Sequence, residues 1–178
     1  MDEVAAKRGR RQLVTLFGIS FATLGLAWLL FLGAREGMSW GTTNNGEFVD
    51  PPTQVGSLVW PDPKGVLNTN EKWWLWMVVD KCEADCAKTM HDLRSLHTLL
   101  NKEANRVTRA LLTSDGTSGV LTTEEMERVE LRRTPASLKP GVYIVDPLGN
   151  LVFWYSPTTP PKPVLDDLKR LLRLSQIG

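Results

Sequence analysis

The sequence predicts an α/β domain that follows a single membrane-spanning helix. Leu13–Gly33 carries no charged residue, and it has the length of about 20 residues that a helix needs to cross a hydrocarbon core ~30 Å thick. Farther along, short runs rich in aromatic and β-branched residues alternate with runs that repeat leucine at helical spacing, which is typical of α/β proteins. A chain of 178 residues is long enough for one such domain with additional segments.

The charged residues on either side of the apolar run predict its orientation. The basic cluster Lys7–Arg11 precedes the run, whereas Arg35 is followed at once by Glu36. Because cations stay on the cytoplasmic side, we expect the N-terminus in the cytoplasm and everything after residue 35 on the other side of the membrane. A cleaved signal peptide or a buried helix is the alternative, but the run exceeds the usual signal-peptide core of about 7–15 residues and no small-residue cleavage site follows.

Composition divides the chain into four segments. Residues 34–70 are rich in Gly, Pro, Asn and Thr and are predicted to form a tether. We expect only short strand pieces in it, near Glu47–Val49 and Ser57–Trp60. The formal net charge of +1 gives no reason to expect a nucleic-acid partner. The apolar run makes the lipid bilayer the first partner predicted. The segments are a basic cytoplasmic N-terminus (1–12), a transmembrane anchor (13–33), a tether (34–70) and a periplasmic domain (71–178).

The periplasmic domain is predicted to run in the order strand, helix, strand, helix, hairpin and helix. Its first strand is the apolar run Trp73–Asp80, and Asp80 with Glu83 has the spacing of a capping box that starts a helix. Thr122 and Glu125 repeat this spacing and predict a second helix. The other predicted elements are a first-helix end at Asn101–Asn105, a strand over Arg106–Thr113, the short helix over Thr123–Leu131, a hairpin of Gly141–Asp146 with Leu151–Ser156, and a helix over Val164–Leu174.

Cys82 and Cys86 are the only two cysteines of the chain, and they fall in the first two turns of the predicted helix. The start of a helix favours a thiolate, because backbone N–H groups and the helix dipole favour negative charge there. A thiolate pair can exchange with disulfides or bind a soft ion such as Cu(I). In thiol–disulfide exchange, Cys82 would be the attacking thiol and Cys86 the resolving one, since Cys82 is nearer the helix start.

An inert structural disulfide is the alternative for the same pair. A loop this short gives only ~2 kcal/mol of stabilisation in the chain-entropy model. Residues four apart on a regular helix also have Cβ atoms about 5–6 Å apart, farther than the ~3.5–4.5 Å that a disulfide requires. Any bridge must therefore lie at an irregular helix start or be strained, which favours a working dithiol.

Three side chains on the same predicted helix are candidates for a further metal ligand. Met90 lies four residues after Cys86 on the same face, although core packing is the plainer interpretation. His97 shares that face but lies ~16 Å along the axis from Cys86, and His91 points ~100° away from Met90. We expect both histidines to be solvated or at an interface. No sequence motif of hydrolase or nucleotide chemistry is present.

Four features together carry a resemblance to known proteins: the element order, the C-x3-C spacing of Cys82 and Cys86, the hairpin sequence Val142–Asn150 and the N-terminal anchor. The order and the paired cysteines resemble a thioredoxin fold. All four features taken together resemble the membrane-anchored Sco family of cytochrome c oxidase assembly proteins. The chain is also similar to small Sco-like membrane proteins of proteobacterial oxidase operons, through Asp146–Asn150 and Leu168–Leu172.

The resemblance implies a thioredoxin-like domain that handles thiols or copper for an oxidase. Cys82 and Cys86 would exchange thiol and disulfide with a copper-site subunit or pass Cu(I) to it. Pro140 would be a cis-proline facing the dithiol, as in thioredoxins, or a plain turn proline. Copper-binding Sco proteins add a histidine shortly before the hairpin, where this chain has Leu138, and no histidine occurs after His97.

Two further alternatives stay open for the function. One is a non-catalytic thioredoxin-fold module that docks onto an oxidase or its assembly partners, and the other is a general membrane-tethered thiol oxidoreductase. Sco motifs usually carry a proline after the second cysteine, whereas this chain has Ala87. If the protein is an enzyme, the sequence predicts a thiol–disulfide oxidoreductase.

Overall fold

A computed structural model describes residues 2–35, 43–62 and 71–177. Its contacts divide the chain into two compact units, one containing the N-terminal helix and one beginning at Asn44. Residues 36–42 and 63–70, which belong to the predicted tether and include Glu36, lie outside the described residues.

The N-terminal helix, α1, runs over Asp2–Arg35. Its segment Gly9–Gly33 has 25 residues with a mean hydropathy of 2.0, and at ~1.5 Å per residue it is about 37 Å long. The hydroxyl groups of Thr15, Ser20 and Thr23 donate to backbone carbonyls of the preceding turn, so their polar atoms are satisfied within the helix. The predicted apolar helix is thereby confirmed as a candidate membrane span.

The second unit is built on a mixed sheet of six strands. These are β1 (Glu47–Gln54), β2 (Trp73–Val78), β3 (Val107–Thr113), β4 (Val129–Arg133), β5 (Gly141–Val145) and β6 (Asn150–Tyr155). They lie in the order β1-β6-β5-β2-β3-β4. The pairs β2–β3 and β3–β4 are parallel, and the other neighbouring pairs are antiparallel. The predicted α/β class is confirmed.

Two helices pack against one face of this sheet. They are α2 (Ala84–Leu99) and α3 (Pro161–Leu174), and 3₁₀ turns occur at Val55–Ser57 and Asn101–Arg106. Helix α2 connects the parallel strands β2 and β3, which require a crossover of this kind. The helices bury apolar side chains in one cluster with the sheet, namely Met90, Leu93, Leu96, Val164, Leu168 and Leu172.

Strand β2 is buried on both faces, which explains its unbroken apolar sequence. Leu75 and Met77 belong to the cluster under α2 and α3, whereas Trp74 and Trp76 belong to a second cluster on the opposite face. Trp60 packs edge-to-face on Trp76 with ring centroids 5.9 Å apart. The side chains of β2 therefore form the centre of the domain, and its C-terminal end delivers the chain to the cysteines.

Helix α2 begins later than predicted. Its N-cap is Glu83, which makes no side-chain capping bond, so the predicted capping box of Asp80 and Glu83 is wrong. The carbonyl of Asp80 instead accepts a 3.0 Å hydrogen bond from the Ser114 N–H group, just after β3. Cys82 consequently lies before the helix, and only Cys86 lies in its first turn.

The predicted second helix over Thr123–Leu131 is also wrong. The capping box itself forms, with the Thr122 N–H group donating to Glu125 at 2.8 Å and the Glu125 N–H group donating to Thr122 at 3.3 Å, but only turns follow it. Arg128 has a φ of 58°, which redirects the chain. The residues after it then pair with β3 as the parallel edge strand β4.

Part of the predicted tether is folded into the second unit. The strand piece expected near Glu47–Val49 extends to Gln54 and pairs with β6. The strand expected over Ser57–Trp60 is absent from these described residues, because a 3₁₀ turn directs Val55 and Leu58 into the second apolar cluster instead.

Candidate functional site

A disulfide joins Cys82 to Cys86 where the chain passes from β2 to α2. The two Cα atoms are 5.1 Å apart, within the usual range of about 4.4–6.8 Å. This distance is reached because Cys82 lies in the turn before the helix, where its backbone does not follow helical geometry. The pair thus forms a bridge across the start of the helix, one of the two arrangements that its spacing allows.

Cys86 borders a groove of about 630 Å³, which we name the Cys86 groove. Its apolar lining comes from both central strands and both helices, namely Met77, Val79, Leu93, Val142 and Val164. Its charged lining is mixed in sign, namely Lys81, Glu83, Asp85, Lys88 and Asp92. The loop Pro157–Pro161 completes the lining, and Cys82 is not among the described residues that contribute to it. Of the two bridged cysteines, Cys86 is therefore the one that lies on the groove.

Cys82 is covered by the loop that follows β3. The Val120 N–H group donates to the Cys82 carbonyl oxygen at 3.2 Å. Gly119 lies so close that an added Cβ would be 2.1 Å from that oxygen and 3.0 Å from the Cys82 Cβ. Its φ of 56° is also one that L side chains rarely adopt. Only glycine therefore fits at this point, and the loop Ser114–Leu121, which we name the covering loop, packs directly on Cys82.

Hydrogen bonds fix the covering loop on both sides of its turn. The hydroxyl group of Thr113 donates to the Thr117 carbonyl at 3.0 Å, and the Thr117 N–H group donates to the Asp115 carboxylate at 3.0 Å. The latter bond is the main reason that the pKa of Asp115 lies below its ordinary value. The position of this loop was not predicted from the sequence: its glycines indicate a turn, but its contact with Cys82 joins distant parts of the chain.

The C-terminal part of the chain matches a family model described as transmembrane-like, thioredoxin-like, C-terminal domain, over residues 73–175. This chain belongs to that family. The family description and α1 together indicate a thioredoxin-like domain with a single-pass membrane anchor. Among curated proteins, no significant sequence match was found.

Solved structures similar to this thioredoxin-like chain include Sco proteins. Apo Sco1 from Thermus thermophilus has 18% sequence identity, a TM-score of 0.53, and coverage of 75% of this chain and 99% of its own. Copper-bound ScoI from Arabidopsis thaliana has 13% identity, a TM-score of 0.48, and coverage of 61% and 88%. The thioredoxin domain of a Bacteroides vulgatus thiol-disulfide oxidoreductase has 12% identity, a TM-score of 0.43, and coverage of 74% and 99%. The predicted Sco-like, thioredoxin fold is confirmed.

Pro140 of this thioredoxin-like domain differs from the cis-proline that the resemblance implies. Among the described residues, the only cis peptide bond is Asp50–Pro51, so the Lys139–Pro140 bond is trans. Pro140 is exposed, and its carbonyl accepts a 3.1 Å hydrogen bond from the Trp154 indole nitrogen. The turn-proline alternative therefore describes its geometry, and its catalytic role stays a prediction.

The other candidate ligands do not join the two cysteines in a three-ligand copper site. His97 Nε2 lies 2.9 Å from the Ala104 carbonyl oxygen and 3.0 Å from that of Val107, and His91 is exposed. Leu138, at the position expected for a histidine, packs in the cluster on the opposite face of the sheet. Within the described residues, no group of three or more His, Cys, Asp or Glu side chains could hold a metal ion. Met90 alone shares the apolar cluster of the cysteines.

Proposed function

We propose that this chain is a membrane-anchored thiol–disulfide exchange protein that serves the assembly of cytochrome c oxidase. The observation that carries the proposal is a disulfide at the end of the central strand, with one cysteine on an open groove. The oxidase client is inferred from the Sco-like motifs Cys82-x3-Cys86 and Val142–Asn150 and from the fold shared with Sco1.

The proposed location follows the charge pattern of the sequence. Residues 1–12 would lie in the cytoplasm and residues 13–33 would cross the inner membrane. The folded unit that begins at Asn44 would act in the periplasm, so the tether would be shorter than the predicted residues 34–70. A disulfide at Cys82 and Cys86 is stable in that compartment, because it is oxidising.

The exchange chemistry is balanced by the two cysteines and a client with two thiols. A client thiolate attacks one sulfur of the bridge, forms a mixed disulfide with it, and releases the other sulfur as a thiolate. The second client thiolate then attacks the client sulfur of the mixed disulfide and releases the remaining cysteine. Two electrons pass from the client to this chain, and the reverse sequence reduces a client disulfide.

The reduction potential of the pair tests the exchange function. The full-length protein in detergent is equilibrated with thiol redox buffers, and the reduced fraction is read by alkylation of free thiols. We expect a potential above about −300 mV, because values below this are typical of inert structural bridges. A potential below that value would support the inert-staple alternative or the non-catalytic module.

Deletion of the gene tests the client. We expect lower cytochrome c oxidase activity in the deletion strain, restored by the wild-type chain but not by the Cys82→Ser, Cys86→Ser double variant. Full restoration by the double variant would support the non-catalytic module. Unchanged oxidase activity together with a working redox potential would support a general thiol oxidoreductase.

Copper cargo is the second candidate function. The reduced pair would offer two thiolates, which suit the soft ion Cu(I), and Met90 in the same apolar cluster is 1% exposed. The donor set does not fit the three-ligand site of copper-binding Sco proteins, so we derive no step that passes through copper. Competition with a chromophoric Cu(I) chelator tests this candidate: binding should require both reduced cysteines, and unchanged copper retention in the double serine variant would remove it.

A further inference from the structure

We infer that Cys86, and not Cys82, is the sulfur that forms the mixed disulfide with a client. The inference rests on the proposed exchange function and names the reacting atom within it. Both cysteines are 4% exposed, so overall exposure does not distinguish them. Their surroundings do, and they reverse the order that the sequence predicts.

The approach to Cys86 is open on the side of the groove. Cys86 lies in the first turn of α2 and contributes to the lining of the Cys86 groove. The same groove is also lined by Thr89, one turn farther along the helix, and by the loop Pro157–Pro161. The groove is therefore the side from which a client thiolate would approach Cys86.

The backbone of the covering loop lies against Cys82. The covering loop packs on it through Gly119, where even one added carbon would be 2.1 Å from the Cys82 carbonyl oxygen, and the Val120 N–H group bonds that oxygen. A thiolate attacks a disulfide along the axis of the sulfur–sulfur bond, from the side opposite the leaving sulfur. Access to each sulfur therefore decides which one is attacked.

Attack at Cys86 determines which bond breaks and which sulfur leaves in each exchange step. A client thiolate attacks Sγ of Cys86, the bond between Cys86 and Cys82 breaks, and Cys82 keeps the electron pair as a thiolate. Cys82 lies one residue before the N-cap of α2, where the helix start favours a negative charge. In the reverse direction, the Cys86 thiolate attacks a client disulfide, and Cys82 then attacks Cys86 to release the reduced client.

Single serine variants of the full-length protein in detergent test the inference. The probe is 5,5′-dithiobis(2-nitrobenzoate), and the rate of mixed-disulfide formation is read by absorbance and confirmed by mass. We expect the Cys86 thiol in Cys82→Ser to react at least about tenfold faster than the Cys82 thiol in Cys86→Ser. In denaturant, where no loop covers Cys82, the two rates should become similar.

The outcomes separate this inference from the proposed function. A Cys82 thiol that reacts as fast as or faster than the Cys86 thiol would overturn the inference while exchange itself stands. A rate difference that persists in denaturant would overturn it too, because the fold would not be its cause. No reaction of either folded variant would overturn both the inference and the proposed exchange.

Two glycines of the covering loop provide a matched pair of variants. Gly119→Ala, made in the Cys86→Ser background, should speed the reaction of Cys82, because the added Cβ must displace the loop from it. Gly116→Ala is the control, since Gly116 also has a positive φ of 74° but an added Cβ there meets the side chain of Arg133. Equal effects of the two substitutions would contradict the role of the loop as a cover on Cys82.

Discussion

The hydroxyl group of Tyr155 donates a 2.8 Å hydrogen bond to Oδ2 of Asp167, and both side chains are buried. The same carboxylate accepts the backbone N–H groups of Asn45 at 2.7 Å and Gly46 at 2.9 Å. The Asn45 amide adds a 3.0 Å bond to Oδ1. One carboxylate thus joins β6, α3 and the first residues of the second unit, and it fixes the helix that supplies Val164 to the Cys86 groove.

Replacement of this carboxylate by an amide should destabilise the domain. In the wild type, three donors share Oδ2: the Tyr155 hydroxyl group and the N–H groups of Asn45 and Gly46. In Asp167→Asn, these donors would meet either the amide NH₂ group, which cannot accept, or an uncharged carbonyl oxygen. We expect a loss of about 2–3 kcal/mol in the free energy of unfolding, because buried donors lose a charged acceptor. Chemical denaturation of the full-length protein in detergent measures it. Asp166→Asn is the control, since Asp166 is the exposed neighbour, and equal losses in both variants would contradict the role of Asp167.

The two tyrosines of the chain predict a loss of stability at alkaline pH. Burial raises the pKa of Tyr143 from 10.0 to about 12. Burial and the bond to Asp167 raise the pKa of Tyr155 further. Because both folded-state values exceed the unfolded value, the contribution of these phenols is fully present below pH ~10 and is lost as pH rises above it. Absorbance titration should show no phenolate near pH 10 in the folded protein, and phenolate should appear together with unfolding.

Phenylalanine variants separate the two phenols in that titration. Tyr155→Phe should cost about 1 kcal/mol at neutral pH, because Asp167 loses one donor, and it should weaken the alkaline decline. Tyr143→Phe loses only a 3.0 Å bond to the Lys139 carbonyl and should weaken the decline less. Normal ionisation of either phenol near pH 10 in the folded protein would contradict the burial argument.

The elements that the sequence predicts well are those with strong local signals. The hairpin of β5 and β6 follows from two β-rich runs joined by Pro147 and Gly149, and α3 follows from leucines at helical spacing after Pro163. The two cysteines were identifiable because they are the only ones in the chain and follow a buried strand. Such features depend on neighbours in sequence, so the pattern suffices.

The features that sequence analysis missed depend on contacts between distant residues. The capping box of Thr122 and Glu125 forms as expected, but Arg128 takes a positive φ and the residues after it gain a ladder with β3. Pairing with a strand therefore outweighs a helix signal of one turn. The contact of Gly119 with Cys82 likewise could not be predicted from the sequence, because composition indicates a turn but not the residues that the turn packs against.

The buried guanidinium of Arg109 predicts a substitution that does not destabilise. Arg109 is 4% exposed, and its Nε and Nη1 atoms have no hydrogen-bond partner among the described residues. Only Nη2 donates, to the Glu127 carbonyl at 2.9 Å, and burial lowers the pKa of the group. Arg109→Met should leave stability unchanged or raise it by up to about 2 kcal/mol, because an unpaired buried charge is removed. Chemical denaturation measures the difference.

Arg109→Lys is the matched control for that substitution. It keeps a charge at the same buried position but removes the fork of donors, so it should lower stability where methionine does not. A loss of more than about 1 kcal/mol in Arg109→Met, or a better result for lysine than for methionine, would show that the guanidinium stabilises the fold.

Placing a histidine where copper-binding Sco proteins have one should not create a copper site in this chain. Leu138 packs in the cluster of Trp74 and Trp76, on the face of the sheet opposite the cluster of Cys82 and Cys86. Leu138→His should therefore leave the Cu(I) affinity of the reduced full-length protein within about threefold of wild type, measured by chelator competition. It should also lower stability by about 1–2 kcal/mol, because an imidazole enters an apolar cluster. Leu138→Gln is the control for that polarity; affinity at least about tenfold tighter with histidine but not with glutamine would show that position 138 does reach the dithiol.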